Sequence, residues 1–360
     1  MNSALLMMQF LLHQEFVQVT SQALNSWHKI EWQFTLKYCM SKMGADNLFR
    51  PRSESEHEAV DGVDLICLLR FAVVMSNWPE MEAMPNNLVN YGVTDNGIAI
   101  IELISDSDGK PLTEGKTSVN TYTREMWEDI DKAILNARFD DDVSVILLTG
   151  HGEKFFSAGA SIKYLNSVSP RYKYFFCLHA NETLSRLEQT PKLVIAALNG
   201  HTVGGGLEIA MAADIRIALK GNFQIGLPEV ALGVLAGTGG TARLSRLVGK
   251  ARAMEIMVTG RKFSFEEAKE MDLVHDLYDS MTLDEFRQDI LDYAGQFTLP
   301  LAAAKAIGNI KRSVQSGIEI PLEYHLALER ELQSDLFQSE DAKEGIASYV
   351  ERRTPRFSGK

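Results

Sequence analysis

The chain has 360 residues, 45% of them hydrophobic and 23% charged, a net charge of −12 and a pI near 5.2. That composition is ordinary for a globular protein, and its acidity argues against a broad nucleic-acid surface, which would need a basic face. The length fits one domain of about 250 residues with an addition, or two domains. Three cysteines, Cys39, Cys67 and Cys177, share no metal-ligand spacing, and their number is odd. They read as reduced thiols of a cytoplasmic protein, with no metal site and no redox cofactor.

In chain order, residues 1–84 differ from the rest. They hold mixed helix-like patterns, an acidic polar stretch (50–62) and an apolar piece (63–75). The apolar run "ALLMMQFLL" (4–12) is too short to span a bilayer, and no Lys or Arg precedes it as in a secretory signal. Met75, Met81 and Met84 cluster where the regular pattern begins. Two readings stand: a natural start at one of these methionines, or a small helical extension with an unknown partner.

From residue 85 the pattern becomes regular. "GIAIIELI" (97–104) predicts a buried strand, and "TREMWEDIDKAILNAR" (123–138) a helix with Met126, Ile130, Ile134 and Leu135 on one face. "DVSVILLTG" (142–150) and "KLVIAALNG" (192–200) are continuous apolar runs, as expected of strands buried on both faces. A helix is expected over 171–190, a short apolar helix over 205–213 and a strand over 214–219. This alternation predicts right-handed crossovers and a largely parallel sheet. After residue 240 the chain turns helical, and Ser264 with Glu267 forms a capping-box pattern. There is no internal repeat.

Three glycines, Gly204 to Gly206, stand at a strand-to-helix junction, and Glu208 follows inside an apolar run. Such a junction exposes backbone N–H groups, and glycine lets a ligand approach them. The simpler reading is close helix–sheet packing. A second small-residue junction, "KFFSAGASIKYL" (154–165), follows the strand at 142–150, and a third loop (226–244) carries Glu229 after Pro228. For either glutamate alone, a charge favouring a helix N-terminus is a sufficient account. Together, in apolar settings, they suit carboxylates with raised pKa values, available for acid–base work.

These segments resemble the crotonase superfamily, the enoyl-CoA hydratases and isomerases. "FFSAGASIKYL" and "LNGHTVGGGLEIAMAADIRIA" are similar to that family's two oxyanion-hole loops, and "IGLPEVALGVLAGTGGTARLSRLVG" to its second-carboxylate loop. The similarity covers roughly residues 88–360. It implies an α/β fold: a ββα spiral core over 85–285 and a C-terminal helical trimerisation region over 286–360.

The resemblance implies that Ala158 and Gly205 supply the two backbone N–H groups that grip a thioester oxygen. It implies that Glu208 activates water at Cβ, while Glu229 handles the proton at Cα and orients the water. The product is that of syn hydration, with double-bond isomerisation or a non-catalytic binding member of the fold as alternatives. Ala160, Ser161 and Ile162 are implied to border the adenine of CoA, with Gly204, Pro228 and Gly237 as further substrate-contacting positions. Coenzyme A belongs to the substrate, so no separate cofactor is implied. A role in fatty acid metabolism and assembly as a homotrimer or a hexamer of paired trimers are implied too.

The chain departs from the family at several points. Ser161 stands where Asp is usual, Ala236 where Pro is frequent, and "KGNFQIG" (220–226) is one residue longer. "TSVNTYT" (117–123) replaces an Asn-Ala-Leu motif, which puts the bulkier Tyr122 in place of Leu near the pantetheine. His201 reads as a satisfied loop histidine. The aromatic and basic cluster 171–177 reads as either a pocket lining or a helix core face. "KRSV" (311–314) and the terminal 351–360 read as solvated charge.

Overall fold

The computed structural model describes residues 77–360. The readings made for residues 1–76, including Cys39, Cys67, Met75 and the 4–12 run, lie outside the described residues. The described residues begin before the expected boundary at 84/85. Strand β1 (Glu82–Ala83) pairs antiparallel with β2 (Val89–Val93), and Met84 is buried between them and the core. Strand β3 (Ile98–Leu103) follows, antiparallel to β2. Next come the short β4 (Thr121–Tyr122) and helix α1 (Arg124–Phe139), which buries Met126, Ile130 and Ile134 as its periodicity predicts, together with Trp127, while Leu135 is only half-buried.

Three ββ units then repeat. In each, a long strand enters the main sheet and a short one turns aside. They are β5 (Val145–Gly150) with β6 (Phe155–Ser157), β8 (Leu193–Leu198) with β9 (His201–Val203), and β10 (Ile215–Leu219) with β11 (Ile225–Gly226). The two-residue β7 (Gly159–Ala160) lies after β6 and pairs with β4. Helices α2 (Ile162–Ser167) and α3 (Pro170–Glu188) connect the first unit to the second, and α4 (Gly205–Met211) the second to the third. The main sheet has the order β1-β2-β3-β5-β8-β10-β12, where β12 is Asp276–Tyr278. From β3 to β12 it is parallel. The short strands stack in a second, parallel sheet, β11-β9-β6.

The continuous apolar runs are explained by burial on both faces. Alternate side chains point to opposite sides of a strand. Ile98, Ile100, Val145, Leu147, Ile195 and Ile217 therefore meet one helical layer, while Ala99, Ile101, Ile146, Leu148, Val194 and Ala196 meet the other. The first layer is helix α8 (Leu283–Gly295), through Phe286, Ile290 and Leu291. This helix begins at 283 and is part of the core, so a boundary at 285/286 would cut through it. Between β11 and α8 lie a 3-10 turn (Glu229–Leu232) and helices α5 (Gly240–Leu247), α6 (Lys250–Thr259) and α7 (Phe265–Glu270). Ser264 accepts the Glu267 amide at 3.2 Å and caps α7 as expected.

The chain ends in α9 (Ala304–Gly317), α10 (Leu322–Phe337) and α11 (Glu340–Glu351). Here the expectation of solvated charge at 311–314 is overturned for Lys311, while Arg312 is exposed as expected. Lys311 is buried and pairs with Asp214 at 2.8 Å, and it also donates to the Lys192 carbonyl at 3.1 Å. Asp214 in turn accepts the Val194 amide, so one ion pair ties α9 to two central strands. The terminal residues are also held. Asp341 takes the amides of Ser358 and Gly359, and Arg353 pairs with Glu344.

Breaking a buried pair from one side leaves the other charge uncompensated, which typically costs several kcal/mol. Lys311→Ala is expected to destabilise the protein by about 3 kcal/mol in urea unfolding. A loss under about 1 kcal/mol would show that the pair does not hold α9.

Candidate active site

The site forms where the short strands leave the main sheet. Two asparagines shape the loops. The Asn199 side chain accepts the Gly150 amide at 3.0 Å and donates to the carbonyls of Gly150 and Gly152. The Asn120 amide donates to His151, Phe155 and Phe156. Buried backbone groups at both strand ends are thereby satisfied.

Pairing then settles which amides are free. The Ala158 N–H donates to the Val119 carbonyl at 3.2 Å. The expectation that Ala158 offers its N–H to a ligand is therefore corrected. Tyr122 pairs with Ala160, and its carbonyl accepts from Ser161 at 3.0 Å. In a parallel ladder the residue opposite such an acceptor points its own N–H away from the partner strand. Ala160, expected at the adenine, is thus the residue whose N–H leaves the first loop.

The second loop meets the first at Gly159. Gly159 has φ +84°, and a Cβ there would lie 2.7 Å from the Gly205 nitrogen. Gly204 has φ +59°, which starts α4 by a sharp reversal, and a Cβ would stand 3.0 Å from Glu229 Oε1. Gly206 lies against the Ser157 carbonyl, where a Cβ would approach to 2.2 Å. Gly205 opens α4, so its N–H has no partner within the helix. The packing reading of these glycines holds: close backbone contact brings the amides of Ala160 and Gly205 into neighbouring loops.

Glu208 is buried on α4, and its Oε1 accepts the amides of Thr238 and Gly240, each at 2.7 Å. Oε2 is the oxygen left for chemistry. Burial raises the carboxyl above the ordinary range, opposed by these amides, the Thr238 side chain and the Arg243 charge. The loop that supplies the amides is itself held. Asn181 donates to the Gly237 carbonyl at 3.1 Å. Arg243 binds the Thr238 carbonyl and forms a two-point ion pair with Glu188, 2.7 Å at each contact.

Glu229 opens the 3-10 turn after Pro228. Burial and the Glu208 charge push its carboxyl up to about 7, and its buried Oε2 has no hydrogen-bond partner. The two carboxyls therefore differ in kind: one is held by donors, the other is not. Beside Glu229 a cavity of about 350 Å³ is lined by Leu227, Leu235, Ala236, Met254 and Met257 among others.

Ser161 is fully buried and caps α2 by accepting the Tyr164 amide at 3.3 Å, while Ile162 is exposed. Gly237 lies by Cys177, where a Cβ would sit 3.3 Å from Sγ. His201 accepts the Gln224 amide at 3.0 Å between the rings of Phe155 and Phe223, a satisfied loop residue. The 171–177 cluster splits: Phe176 packs on Tyr122 in the core, whereas Tyr174 and Phe175 are exposed. Thr238, Gly240, Asn181 and Arg243 had no distinct sequence signal beyond the "TGGTAR" run, because their roles depend on long-range contacts.

The sequence pattern of one family, described as Enoyl-CoA hydratase/isomerase, matches residues 114–360. The short-chain-enoyl-CoA hydratase of Clostridium acetobutylicum is 34% identical over 249 residues, which is 67% of this chain and 93% of that protein. A probable enoyl-CoA hydratase of Bacillus subtilis is 33% identical over 262 residues, 72% of this chain and 98% of that one. The crystal structure of an enoyl-CoA hydratase from Geobacillus kaustophilus superposes with a TM-score of 0.70 at 39% identity, covering 79% of this chain and all of that one.

The Glu229 environment predicts a stability signature. Its carboxyl titrates near 7 in the fold against 4.5 unfolded. The folded state holds the proton more tightly, so this group's contribution is complete below 4.5 and is lost as pH rises to about 7. Glu229→Gln is expected to be more stable than the wild type at pH 8, by on the order of 1–3 kcal/mol after allowing for partial exposure. The gap should close towards pH 4.5 in urea unfolding. Equal stability at pH 8 would show that the ionised carboxylate is solvated.

Proposed function

The chain belongs to the enoyl-CoA hydratase/isomerase family, and from that premise we propose that it adds water across the 2,3 double bond of an enoyl-CoA thioester. The observation that carries this reading is the unequal pair of carboxyls. Glu208 keeps an oriented, donor-stabilised carboxylate, and Glu229 keeps a proton close to neutral pH. Burial raises both carboxyls, and the amides of Thr238 and Gly240 oppose the rise at Glu208, which suits Glu208 to the role of base and Glu229 to that of acid.

In this reading Glu208 Oε2 takes a proton from water as the oxygen attacks Cβ. Electron density moves through Cα to the thioester oxygen, where the N–H groups of Ala160 and Gly205 receive the developing charge. Preorganised donors of this kind contribute most where charge develops, since they need no reorganisation. Glu229 then delivers its proton to Cα. The hydroxyl of water ends on Cβ and the proton of Glu229 on Cα, and the proton left on Glu208 is passed back to Glu229 through solvent, which restores both carboxyls. Double-bond isomerisation needs only one carboxyl at Cα, so the two-amide anchoring of Glu208 favours hydration.

The cavity beside Glu229 suits an apolar acyl group, the backbone around Ala160, Ser161 and Ile162 is assigned to the adenine of CoA, and Gly204, Pro228 and Gly237 to further substrate contacts. The reaction needs no cofactor beyond the CoA of the substrate. Fatty acid metabolism is the matching pathway class. Self-association as a trimer or paired trimers is supported by apolar side chains exposed on α9 to α11, among them Ile318, Leu322 and Tyr349. Among the described residues no helix is long and apolar enough to cross a membrane. A cytoplasmic location is the reading of three cysteines in odd number with no metal-ligand spacing.

The test is loss of enoyl-thioester absorbance with crotonyl-CoA and the full chain. Glu208→Gln and Glu229→Gln are each expected to lower kcat by roughly 10²–10⁴-fold. The wild-type rate should fall above pH about 7, as Glu229 loses its proton. Conversion of a 3-enoyl-CoA without hydration of crotonyl-CoA would make the enzyme an isomerase. CoA binding with neither reaction would make it a non-catalytic member.

A further inference from the structure

The cavity beside Glu229 is larger than the hydration steps require. In a crotonyl thioester only a methyl group lies beyond Cβ, whereas the cavity measures about 350 Å³. A methylene fills roughly 30 Å³ at interior packing density. A short acyl group would leave most of this space to water.

The cavity begins at the groups that act on the double bond. Glu229 forms part of its wall. Leu227 and Ala236 line it too, and both lie against Gly240. A Cβ on Gly240 would stand 2.5 Å from the Ala236 Cβ, 3.1 Å from Leu227 Cδ1 and 2.9 Å from Glu208 Oε1. Leu227 and Ala236 are thus the apolar groups beside the carboxylate assigned to Cβ. An acyl chain continues from Cβ, so this is the wall it meets first.

From there outward the lining stays apolar. Val234, Leu235, Met254 and Val258 border the cavity, and each is more than half exposed. Large apolar side chains gathered on one space gain from being covered. Helix α6 supplies Met254 and Met257. Methionine is unbranched and soft, so that wall adapts to tails of different length. Among the described residues of the lining only Glu229 and Lys250 are ionisable, and Lys250 is exposed at the start of α6.

We propose that this cavity holds the acyl tail, and that the preferred substrates are 2-enoyl-CoA thioesters with apolar chains of about six to ten carbons. The inference rests on the hydration reading and narrows its substrate. The longest of these chains carries about seven carbons beyond Cβ, roughly 210 Å³ of tail. That volume fits within the 350 Å³ present.

The test compares crotonyl-CoA with 2-octenoyl-CoA on the full chain. Wild-type kcat/KM is expected to be at least about tenfold higher for 2-octenoyl-CoA, since each added methylene is buried. Ser245 is half-buried on the cavity wall, and its hydroxyl donates within its own helix, to the Ala242 carbonyl at 3.1 Å. Ser245→Phe puts a ring into the cavity and should lower the octenoyl-to-crotonyl ratio of kcat/KM roughly tenfold. Met257→Trp, from α6, is a second variant with the same expected effect. A general loss of structure or catalysis would lower both rates and leave their ratio alone. A wild-type preference for crotonyl-CoA, or an unchanged ratio in both variants, would overturn the proposal and leave hydration standing. So would a preference for an eight-carbon enoyl-CoA that ends in a carboxylate, which would make Lys250 the determinant. Failure to hydrate either thioester would overturn the hydration reading, and the proposal with it.

Discussion

The contact between Gly159 and Gly205 is the constraint on which the site depends. Two loops from separate ββ units meet backbone to backbone, closer than any side chain would allow. That approach brings the loop carrying Ala160 against the start of the helix that Gly205 opens. It is possible only because β5 and β8 are adjacent and parallel, so both chains leave the sheet at the same end. The short strands β6 and β9 then continue the pairing outside the main sheet and hold the loops in register. Ligand sites of open parallel sheets commonly lie at the carboxyl ends of strands for this reason.

The same geometry separates the two carboxyls. Glu208 sits on the helix that the glycines begin, so it shares the rigidity of that turn, and the Thr238 and Gly240 amides reach it from a different part of the chain. Glu229 sits on a short 3-10 turn above an apolar cavity and has no comparable donor for its buried oxygen. Identical side chains thereby acquire different hydrogen-bonding surroundings. The support behind Glu208 reaches outward through Arg243 and Glu188 to α3, so the position of the base depends on packing well away from the reacting atoms.

The C-terminal helices have a different relation to the core. Lys311 and Asp214 fasten α9 to the central strands by a buried ion pair, and Asp341 fastens the terminal residues back on α11. Between these anchors the helices keep large apolar side chains on the surface. A region tied firmly at a few polar points, with an apolar outer face, is built to present that face as a unit.

The sequence by itself determined the parallel core, two helices within a residue or two of their bounds (expected over 123–138 and 171–190), and the glycine and glutamate positions at the strand ends. It could do so because long apolar runs and helical periodicity are local signals. The pairs of short strands β6–β9 and β4–β7 were not legible, since two or three residues carry no period. Only tertiary structure decided which amide of the "SAGAS" loop is free: pairing with Val119 removes Ala158, and pairing with Tyr122 turns Ala160 outward. It also decided that Lys311 is buried, that Thr238 and Gly240 hold Glu208, and that Tyr122 reaches Gly205. In each case the partner lies tens of residues away, and a hydrogen bond between distant segments leaves no pattern in the composition or spacing of either one.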